Sequence, residues 1–410
     1  MSAELPYRRG EILASTEDDL AKLSVAWREI ERRHRAGEPV YNFTGLERSL
    51  RVDPDALELM DDELAPALYG ERLTRAALDH LGGVSGRDDV LLANRLTAAI
   101  VVAMQVLVRA GSTVVGVSPS YSHPAVIRAV RLAGGRFVET RGADALSRQL
   151  AENDGVSLVV LTRLAVTYEV LEGKELDRVV ETAHRFEVPV FVDDAGGARV
   201  GPAVFAQPKT LELGAEAGAT GLDKYGTTGP RLGLLAGRTE LVRPMRARAV
   251  ELGLEARPML VPAALRSLEQ YRPERVLELV ATTECVGDAL AGRLGGRVTR
   301  TPVAIRLEGE DVLAEAMTRG GIEAPPVVPY EATAALAMLL LRGHGILTVH
   351  FAAMPPGTAA LLIKFVPPET LERFGGAEAF AAAVDESLDE LGRLLGDPSQ
   401  LRALLAQADH

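Results

Sequence analysis

Residues 221–231 read Gly221-Leu222-Asp223-Lys224-Tyr225-Gly226-Thr227-Thr228-Gly229-Pro230-Arg231, a turn rich in glycine and threonine. Lys224 lies 31 residues after Asp193, which directly follows the apolar run Val188-Pro189-Val190-Phe191-Val192. Such a run predicts a strand covered on both faces, and ligands in α/β sheets collect beyond the carboxyl ends of the strands. The sequence therefore predicts an α/β fold in which Asp193 and Lys224 face one crevice.

A lysine and a carboxylate are the two groups that pyridoxal 5'-phosphate requires from its protein. The lysine forms a Schiff base, and the carboxylate keeps the ring nitrogen protonated. Most lysines are simply solvated, and an Asp-Asp pair such as Asp193-Asp194 also occurs in magnesium sites. The further acids of a magnesium site are not evident in the sequence. We therefore predict pyridoxal phosphate as the cofactor and expect no metal.

The composition is that of an ordinary soluble protein, with 47% hydrophobic and 25% charged residues among 410. The net charge of −12 offers no basic surface, so no nucleic-acid partner is expected. Cys285 is the single cysteine, which leaves no disulfide within the chain and suits a cytoplasmic location. The longest apolar run, Ala98 to Val108, is too short to span a bilayer, so no membrane partner is expected.

From about residue 46 onward, short β-branched runs alternate with longer helical stretches, which is typical of parallel βαβ units. Strands are predicted at 90–93, 111–117, 136–139, 157–161, 188–192 and 231–236. Asn94, Ser118, Thr162 and Asp193 each follow one of these strands. Because parallel strands end at the same edge of a sheet, we expect these four residues along one crevice.

Three parts are predicted along the chain: an N-terminal arm (1–45), a large domain with a mostly parallel central sheet (46–257) and a smaller α/β C-terminal domain (258–410). The last part reads as mixed helix and strand. Its predicted strands are 298–307, 348–351 and 361–366, and its predicted helices include 263–271 and 377–395.

The segment Asn94-Arg95-Leu96-Thr97 joins a predicted strand to a predicted helix. The free N–H groups and the positive dipole end of such a helix start can hold a phosphate. A simple N-cap would have the same appearance, so the segment alone leaves both interpretations open.

His123 follows another predicted strand and is the first candidate for a ring that stacks on a flat cofactor, with Tyr121 second. A lone histidine is more often a helix cap or a surface residue. A substrate carboxylate usually binds an arginine. The candidates are, in order of placement, Arg231, Arg163 and Arg306.

At this point the chain resembles the fold-type I pyridoxal-phosphate enzymes, and most of all the selenocysteine-synthase-like branch, the seryl-tRNA selenium transferases. The residues that carry the likeness are Asn94 to Thr97, Tyr121-Ser122-His123-Pro124, 192–199 and 222–226. The resemblance implies an aspartate-aminotransferase-like fold, a homodimer or higher homo-oligomer, and active sites at the subunit interface. It also implies cofactor binding by the 94–97 segment, His123, Asp193 and Lys224, with Lys224 and His123 in catalytic roles.

The sequence departs from that branch in two respects. A net charge of −12 does not suit a tRNA substrate. Leu222 and Gly221 stand where many fold-type I enzymes place Ser or Thr to hold the phosphate, so the 94–97 segment is expected to carry more of that role.

The same branch includes ammonia-lyases of amino sugar acids and a pyridoxal-phosphate monooxygenase-decarboxylase of capuramycin-type nucleoside antibiotic pathways, which uses dioxygen and gives a carboxamide. The resemblance favours this oxidative decarboxylation of a small amino-acid-type substrate. Elimination or β-replacement on an amino acid, as in the ammonia-lyases or selenium transferases, is the first alternative. A non-catalytic binding protein on the same fold is the second, although a binding module needs no Schiff-base lysine.

Overall fold

The computed structural model describes residues 5–48, 57–352 and 354–406. A few residues of each of the three predicted parts (1–4, 49–56, 353 and 407–410) lie outside the described residues. The strands are β1 (Tyr41–Asn42), β2 (Asp88–Ala93), β3 (Thr113–Val117), β4 (Arg136–Thr140), β5 (Val156–Thr162), β6 (Val190–Asp193), β7 (Ala217–Gly221), β8 (Gly233–Arg238), β9 (Val298–Thr301), β10 (Ala304–Leu307), β11 (Ile346–Leu347) and β12 (Leu361–Lys364).

The α-helices alternate with these strands in the first two thirds of the chain. They are α1 (Thr16–Arg35), α2 (Leu64–Leu81), α3 (Leu96–Leu107), α4 (Pro124–Leu132), α5 (Gly142–Ala151), α6 (Gly173–Arg185), α7 (Gly197–Phe205), α8 (Thr239–Leu252), α9 (Val261–Gln270), α10 (Pro273–Leu294), α11 (Gly309–Gly320), α12 (Pro329–His344), α13 (Pro368–Phe374), α14 (Ala377–Leu395) and α15 (Pro398–Leu405).

The chain divides into two compact units. Residues 47–277 form one unit, called the sheet unit below, and residues 1–46 together with 278–410 form the other, called the terminal unit. The division falls within helix α10.

The sheet unit is built on a seven-stranded sheet in the order β2-β8-β7-β6-β5-β3-β4, as far as its residues are described. The pairs from β4 through β3, β5 and β6 to β7 are parallel, and β8 runs antiparallel to both β7 and β2. The predicted mostly parallel sheet is therefore present. Strands β2, β5, β6 and β7 all end at the same edge.

Both faces of this sheet are covered, which explains the uninterrupted apolar runs of its strands. In β3, Val114 packs in a core cluster that includes Ile100 of helix α3, whereas the next residue, Val115, packs in a cluster that includes Leu176 of helix α6. Successive side chains of a strand point to opposite faces, so each face of the sheet has its own layer of helices.

Several elements differ from the sequence-based expectation. The predicted strand 298–307 forms the antiparallel pair β9 and β10. Strand β7 was not expected, because Ala217-Gly218-Ala219-Thr220-Gly221 is poor in the β-branched and aromatic residues that favour strands. Its small side chains instead suit close packing: a Cβ at Gly218 would meet Thr210 Cγ2 at 2.4 Å. Residues 348–351, predicted as a strand, form a 3₁₀ turn at Val349–Phe351.

The terminal unit contains a three-stranded antiparallel sheet in the order β12-β10-β9 and a short parallel pair of β1 with β11. Its core is apolar and includes Leu13 from the N-terminal segment, Leu336 of helix α12 and Leu388 of helix α14. The N-terminal segment is thus part of the packed core of this unit.

A buried ionic cluster fastens helix α1 within the terminal unit. Asp19 lies 3.3 Å from Lys22 Nζ and 2.9 Å from Arg9 Nη2. Lys22 Nζ is also 3.3 Å from the Tyr330 hydroxyl, which donates to Asp19. The Lys22 side chain is 0% exposed. Each charged group in this cluster has a partner of opposite charge.

In the described part of the chain, no helix is long and apolar enough to cross a membrane.

Candidate functional site

Two polar side chains stand next to each other where strands β5 and β6 end. Thr162 and Asp193 are the last residues of these strands and are paired in register. Both are 3% exposed. The Thr162 hydroxyl and Asp193 Oδ1 have no hydrogen-bond partner among the described residues. Since buried polar atoms are normally paired, both atoms point to a ligand at this edge of the sheet.

The Asp193 carboxyl is held in an environment that disfavours its charge. Burial raises its pKa to about 7, and the neighbouring charge of Asp194 adds to the rise. Lys224 and the Ala195 N–H act in the opposite direction. A positively charged group placed against Oδ1 would therefore stabilise the anionic form strongly.

Asp194, unlike Asp193, forms an ion pair inside the protein. Its Oδ2 accepts a hydrogen bond from Arg163 Nη2 at 2.7 Å and another from the Thr210 hydroxyl at 2.8 Å. Arg163 Nη1 donates to Pro208 O at 2.6 Å, and both members of the ion pair are fully buried. The guanidinium of Arg163 is thus engaged inside the protein, where it is not open to a substrate carboxylate.

Lys224 lies on a turn that the protein holds from several sides. The Leu222 N–H donates to Leu232 O at 2.9 Å, and the Lys224 N–H donates to Gly221 O at 3.3 Å. The hydroxyls of Thr227 and Ser267 each donate to Leu222 O at 2.8 Å. Four hydrogen bonds therefore fix the turn around the lysine, and the backbone of Lys224 has a defined position.

The Lys224 side chain is partly exposed to solvent, and its surroundings disfavour the charged form of the amine. Its side chain is 24% exposed, and Nζ lies 3.8 Å from Asp223 Oδ1. Burial lowers the pKa of Lys224, Asp223 opposes the change, and Arg231, Arg48 and Arg199 lower the pKa further. A lowered pKa increases the fraction of neutral amine, which is the nucleophilic form.

Asp223 is the carboxylate around which these cations gather. Its Oδ2 accepts hydrogen bonds from Arg48 Nε at 3.3 Å and Nη2 at 3.2 Å, and Arg231 Nε lies 4.0 Å away. Burial alone would raise the pKa of Asp223. The cations Lys224, Arg48 and Arg231 outweigh it and lower the pKa. Asp223 therefore stays anionic and is shared among several cations.

His123 takes the helix-cap role, one of the two that the sequence left open to it. It is the N-cap of helix α4, where its Nδ1 accepts a hydrogen bond from the Ala125 N–H at 3.0 Å. In the neutral ring the proton is then on Nε2. Burial lowers the pKa of His123 to about 4, with contributions from Arg128 and Lys224. The ring is partly exposed and uncharged at neutral pH.

The predicted phosphate segment forms the start of helix α3. Arg95 is the N-cap, has an extended backbone and makes no side-chain cap hydrogen bond. The first bond within the helix runs from the Ala99 N–H to Arg95 O, so the preceding N–H groups face outward from the helix start. Asn94 and Thr97 are exposed here. Asn94 Nδ2 donates to Gly253 O at 3.2 Å, which helps to hold the segment in place.

Strand β8 packs directly against this helix start. A Cβ at Gly233 would lie 2.6 Å from Arg95 O and 2.8 Å from Leu96 Cα, so only glycine fits. Ala93 pairs with Gly233 in an antiparallel register, and Arg231, two residues before Gly233, interacts electrostatically with Arg95. Burial, Arg48 and Arg95 lower the pKa of Arg231 to about 10, so it remains charged at neutral pH.

The structure thus brings Asp193, Lys224, His123, the 94–97 segment and Arg231 into the sheet unit, at or beside one sheet edge. Arg306 belongs to the terminal unit, where its Nε donates to Glu308 at 2.7 Å. Sequence reasoning did not single out Arg48, because only the fold brings it to Asp223 across 175 residues. Among the described residues, no group of three His, Cys, Asp or Glu side chains could hold a metal ion.

Comparison with known proteins places this geometry in a family. The aminotransferase class I and II family matches residues 69–272. The chain is 32% identical over 340 residues to a UPF0425 pyridoxal phosphate-dependent protein of Methanothermobacter thermautotrophicus, covering 83% of this chain and 84% of that protein. A protein of the same description from Methanosphaera stadtmanae is 30% identical over 322 residues, covering 78% and 80%.

Solved structures show the same fold at low sequence identity. The aspartate aminotransferase of Thermus thermophilus aligns with a TM-score of 0.55 at 17% identity, covering 88% of this chain and 96% of that one. The pyridoxal-phosphate-dependent cyclase OrfR aligns with a TM-score of 0.61 at 19% identity, covering 87% and 96%. These likenesses confirm the predicted aspartate-aminotransferase-like, fold-type I class.

The alignments with these two relatives, over 340 and 322 residues, are longer than the aminotransferase match over residues 69–272. On this evidence the chain belongs to the UPF0425 family of pyridoxal phosphate-dependent proteins.

Proposed function

We propose that this chain is an enzyme that attaches pyridoxal phosphate to Lys224 and breaks a bond at Cα of a small α-amino acid. One observation carries the proposal: Asp193 ends β6 with a buried, unpartnered carboxylate oxygen, and it interacts electrostatically with Lys224, which follows the adjacent strand β7. The cofactor needs a carboxylate for its ring nitrogen and a lysine for its aldehyde. These two residues supply both.

The residues present fit the cofactor in three further respects. The unpartnered Thr162 hydroxyl lies beside Asp193 and offers a hydrogen bond to a polar ring substituent. The partly exposed ring of His123 offers a flat, uncharged surface for stacking. The start of helix α3 offers N–H groups for a phosphate, and Arg231 interacts electrostatically with Arg95, the N-cap of that helix.

When bound, the cofactor supplies an electron sink for the bond that breaks. Asp193 in its anionic form holds a positive charge at the ring nitrogen and thereby maintains that sink. Lys224 Nζ would hold the cofactor as a nucleophilic amine, and the free amine would take or return a proton at the substrate Cα. His123 carries its proton on Nε2 and can stack or pass that proton.

Arg231 is the proposed anion-binding arginine. It is the first candidate from the sequence for a substrate carboxylate, and its interaction with Arg95 at the start of helix α3 also suits the cofactor phosphate. Arg163 is engaged with Asp194, and we do not propose it for this role.

Within this reaction class we favour oxidative decarboxylation, in which the substrate carboxylate leaves as carbon dioxide and dioxygen is consumed to give a carboxamide. Its support is the resemblance of the 121–124, 192–199 and 222–226 motifs to the branch that includes such an enzyme. Elimination or β-replacement on an amino acid would use the same Lys224 and Asp193. A homodimer or higher oligomer is proposed on the same resemblance.

The test is a screen of amino acids against the purified chain reconstituted with pyridoxal phosphate. The absorbance of the bound cofactor, dissolved oxygen, carbon dioxide and ammonia are followed together. Oxygen uptake with release of carbon dioxide would support oxidative decarboxylation. Ammonia release without oxygen uptake would replace it with elimination. Cofactor attachment without a spectral response to any amino acid would favour a binding protein.

Mass spectrometry after borohydride reduction identifies the modified lysine. Lys224→Ala is expected to remove the attachment, whereas Lys174→Ala, at an exposed position of helix α6, serves as the matched control. Attachment at a lysine other than Lys224 would overturn the proposal.

A further inference from the structure

The turn 222–227, which carries Lys224, is held by the side chain of Arg199, a residue that has no role in the proposed chemistry. Arg199, in helix α7, is fully buried and sends its guanidinium under the turn. Its Nη1 donates to Lys224 O, to Leu222 O at 3.4 Å and to the Thr227 hydroxyl at 3.2 Å. Three oxygen acceptors of the six-residue turn 222–227 thus bind one nitrogen.

Two further side chains contact the guanidinium, and its Nη2 has no hydrogen-bond partner among the described residues. Its Nε donates to His80 Nε2 at 3.3 Å, and its carbon lies 5.4 Å from the centre of the Tyr271 ring. The Tyr271 hydroxyl donates to Arg199 O at 3.3 Å. Burial, with help from Arg199 and Lys209, keeps the pKa of His80 well below its ordinary value. His80 is therefore neutral and accepts through Nε2.

No described carboxylate forms an ion pair with Arg199, although Asp223 lies close enough to influence it. Burial lowers the pKa of Arg199 to about 10, so it stays charged at neutral pH. Holding an arginine charge inside the protein against carbonyl and hydroxyl oxygens is costly. The buried charge of Arg199 is therefore better explained by its hydrogen bonds to the turn than by a contribution to the stability of the core.

We propose that Arg199 is a positioning residue for Lys224: its guanidinium holds the oxygen acceptors of the 222–227 turn, and its buried charge lies close enough to the Lys224 amine to act on it. The inference rests on the proposed function for its purpose, but the contacts on the turn are independent of any cofactor. Arg199 is one of the cations that lower the pKa of Lys224, together with Arg231 and Arg48 and against Asp223. His123 and Asp193 also interact electrostatically with the lysine.

Two substitutions separate the two parts of this role. Arg199→Lys keeps the charge and loses the fork that reaches several acceptors. Arg199→Gln loses the charge. The rate at which pyridoxal phosphate attaches to Lys224 in the full chain is measured against pH by borohydride trapping and mass spectrometry. Hydrogen exchange of the peptide that covers 222–227 is measured in the same proteins without cofactor.

In Arg199→Gln we expect the pH midpoint of attachment to rise and attachment at pH 7 to slow, by less than the roughly tenfold change that one pH unit would give, because Arg231 and Arg48 remain beside the amine. In Arg199→Lys we expect the midpoint to stay near that of the wild type. Both variants are expected to exchange the Leu222 and Lys224 amides about 10- to 100-fold faster, because charge-assisted bonds to the turn are lost.

Arg163→Lys is the control for removing a buried arginine, since Arg163 is equally buried but contacts Asp194 and Pro208, away from the turn. It is expected to leave both the midpoint and the exchange of 222–227 unchanged. If Arg199→Gln does not fold, Arg199→Lys and Thr227→Val still test the hold on the turn. Wild-type exchange at 222–227 in Arg199→Lys, or a wild-type midpoint in Arg199→Gln, would overturn the proposal. Failure of the wild type to attach the cofactor at Lys224 would instead overturn the proposed function, and the exchange result would stand by itself.

Discussion

Lys22 in the terminal unit and Lys224 in the sheet unit are both buried lysines whose pKa is lowered mainly by burial. Lys22 is 0% exposed and lies 3.3 Å from both Asp19 and the Tyr330 hydroxyl. Lys224 is 24% exposed, and its nearest carboxylate, Asp223 at 3.8 Å, is shared with Arg48 and Arg231. Lys22 is fully buried and has its own carboxylate partner. Lys224 is partly exposed and shares its nearest carboxylate with two arginines.

The aspartates of the two units differ in the same way. Asp19 is bonded to Arg9, Lys22 and Tyr330, whereas Asp193 keeps an oxygen without a described partner. A buried charge with all partners present stabilises a local arrangement, and one with a partner missing indicates a place for a ligand. Burial alone therefore does not identify a reactive lysine. The combination of a partly exposed amine with the unpartnered oxygen of Asp193 is what favours Lys224 as the reactive lysine.

The strongest test of this contrast removes each lysine in turn. Lys224→Ala is expected to abolish cofactor attachment and to reduce turnover at least about 10²-fold through loss of the proton-transferring amine. Lys22→Met should leave attachment intact and lower the free energy of unfolding by about 3–5 kcal/mol, because it breaks a buried ion pair. Mass spectrometry of the trapped cofactor and urea unfolding measure the two effects. Loss of attachment in the Lys22 variant would end the distinction between the two lysines.

The aspartates give the next largest effect. Asp193→Asn should reduce turnover about 10²- to 10³-fold, since a positioned charge at the reacting system is lost. It should not destabilise the cofactor-free protein, because Asp193 has an unpaired oxygen to begin with. Asp19→Asn is the matched substitution and should destabilise the protein by a few kcal/mol, about what breaking a buried pair costs.

The same aspartate has a testable pH dependence. Asp193 has a pKa of about 7 in the folded chain, and about 3.9 is expected when unfolded. The folded state therefore holds the extra proton between these values, and stability falls as pH rises through that window. We expect the unfolding free energy of Asp193→Asn, relative to that of the wild type, to be higher at pH 8 than at pH 5 by on the order of 1–4 kcal/mol. An equal difference at both pH values would contradict the pKa shift.

Arg231→Gln tests which anion the exposed edge of the site binds. We expect cofactor affinity or substrate affinity to fall about 10- to 100-fold, as for a lost bond to a charged group. A higher dissociation constant for the cofactor would assign Arg231 to the phosphate. A higher KM with unchanged cofactor affinity would assign it to the substrate carboxylate. An effect on neither would remove Arg231 from the site.

His123→Asn tests the smallest contribution. Asparagine is a good N-cap, so helix α4 should keep its stability within about 0.5 kcal/mol. The loss of the stacking ring should weaken cofactor binding by about 1 kcal/mol, a fewfold to tenfold change measured by titration. Because the pKa of His123 is about 4, the wild-type pH profile between 5 and 8 should not report this residue. Unchanged cofactor affinity would leave His123 as a cap alone.

The sequence predicted those parts of the molecule that depend on local patterns. Apolar runs located β3 and β5, and the helix over 377–395 has the predicted bounds. Strand β7 escaped prediction because its alanines and glycines are chosen for close packing, a property of the assembled sheet. The order of Asp193 and Lys224 was enough to predict the fold class and cofactor family.

The partners of the site residues could not be predicted in the same way. Arg163 and Arg231 both follow predicted strands or turns, and nothing in the sequence shows that the first is fully buried and paired with Asp194. Arg48 and Arg199 meet the lysine turn from 175 and 25 residues away. Such contacts depend on how elements pack, so local spacing carries no signal for them.

The contact of Gly233 with the start of helix α3 has a consequence for laboratory evolution of this chain. A single methyl group at that position would press on the Arg95 carbonyl and shift the helix end that faces the proposed phosphate. A randomised codon at 233 should therefore return only the parental amino acid under selection for activity, while codons for the solvent-facing residues of α3 tolerate change. The side chains tolerated at position 233 would therefore measure how far the backbone of Arg95 and Leu96 can move without loss of activity.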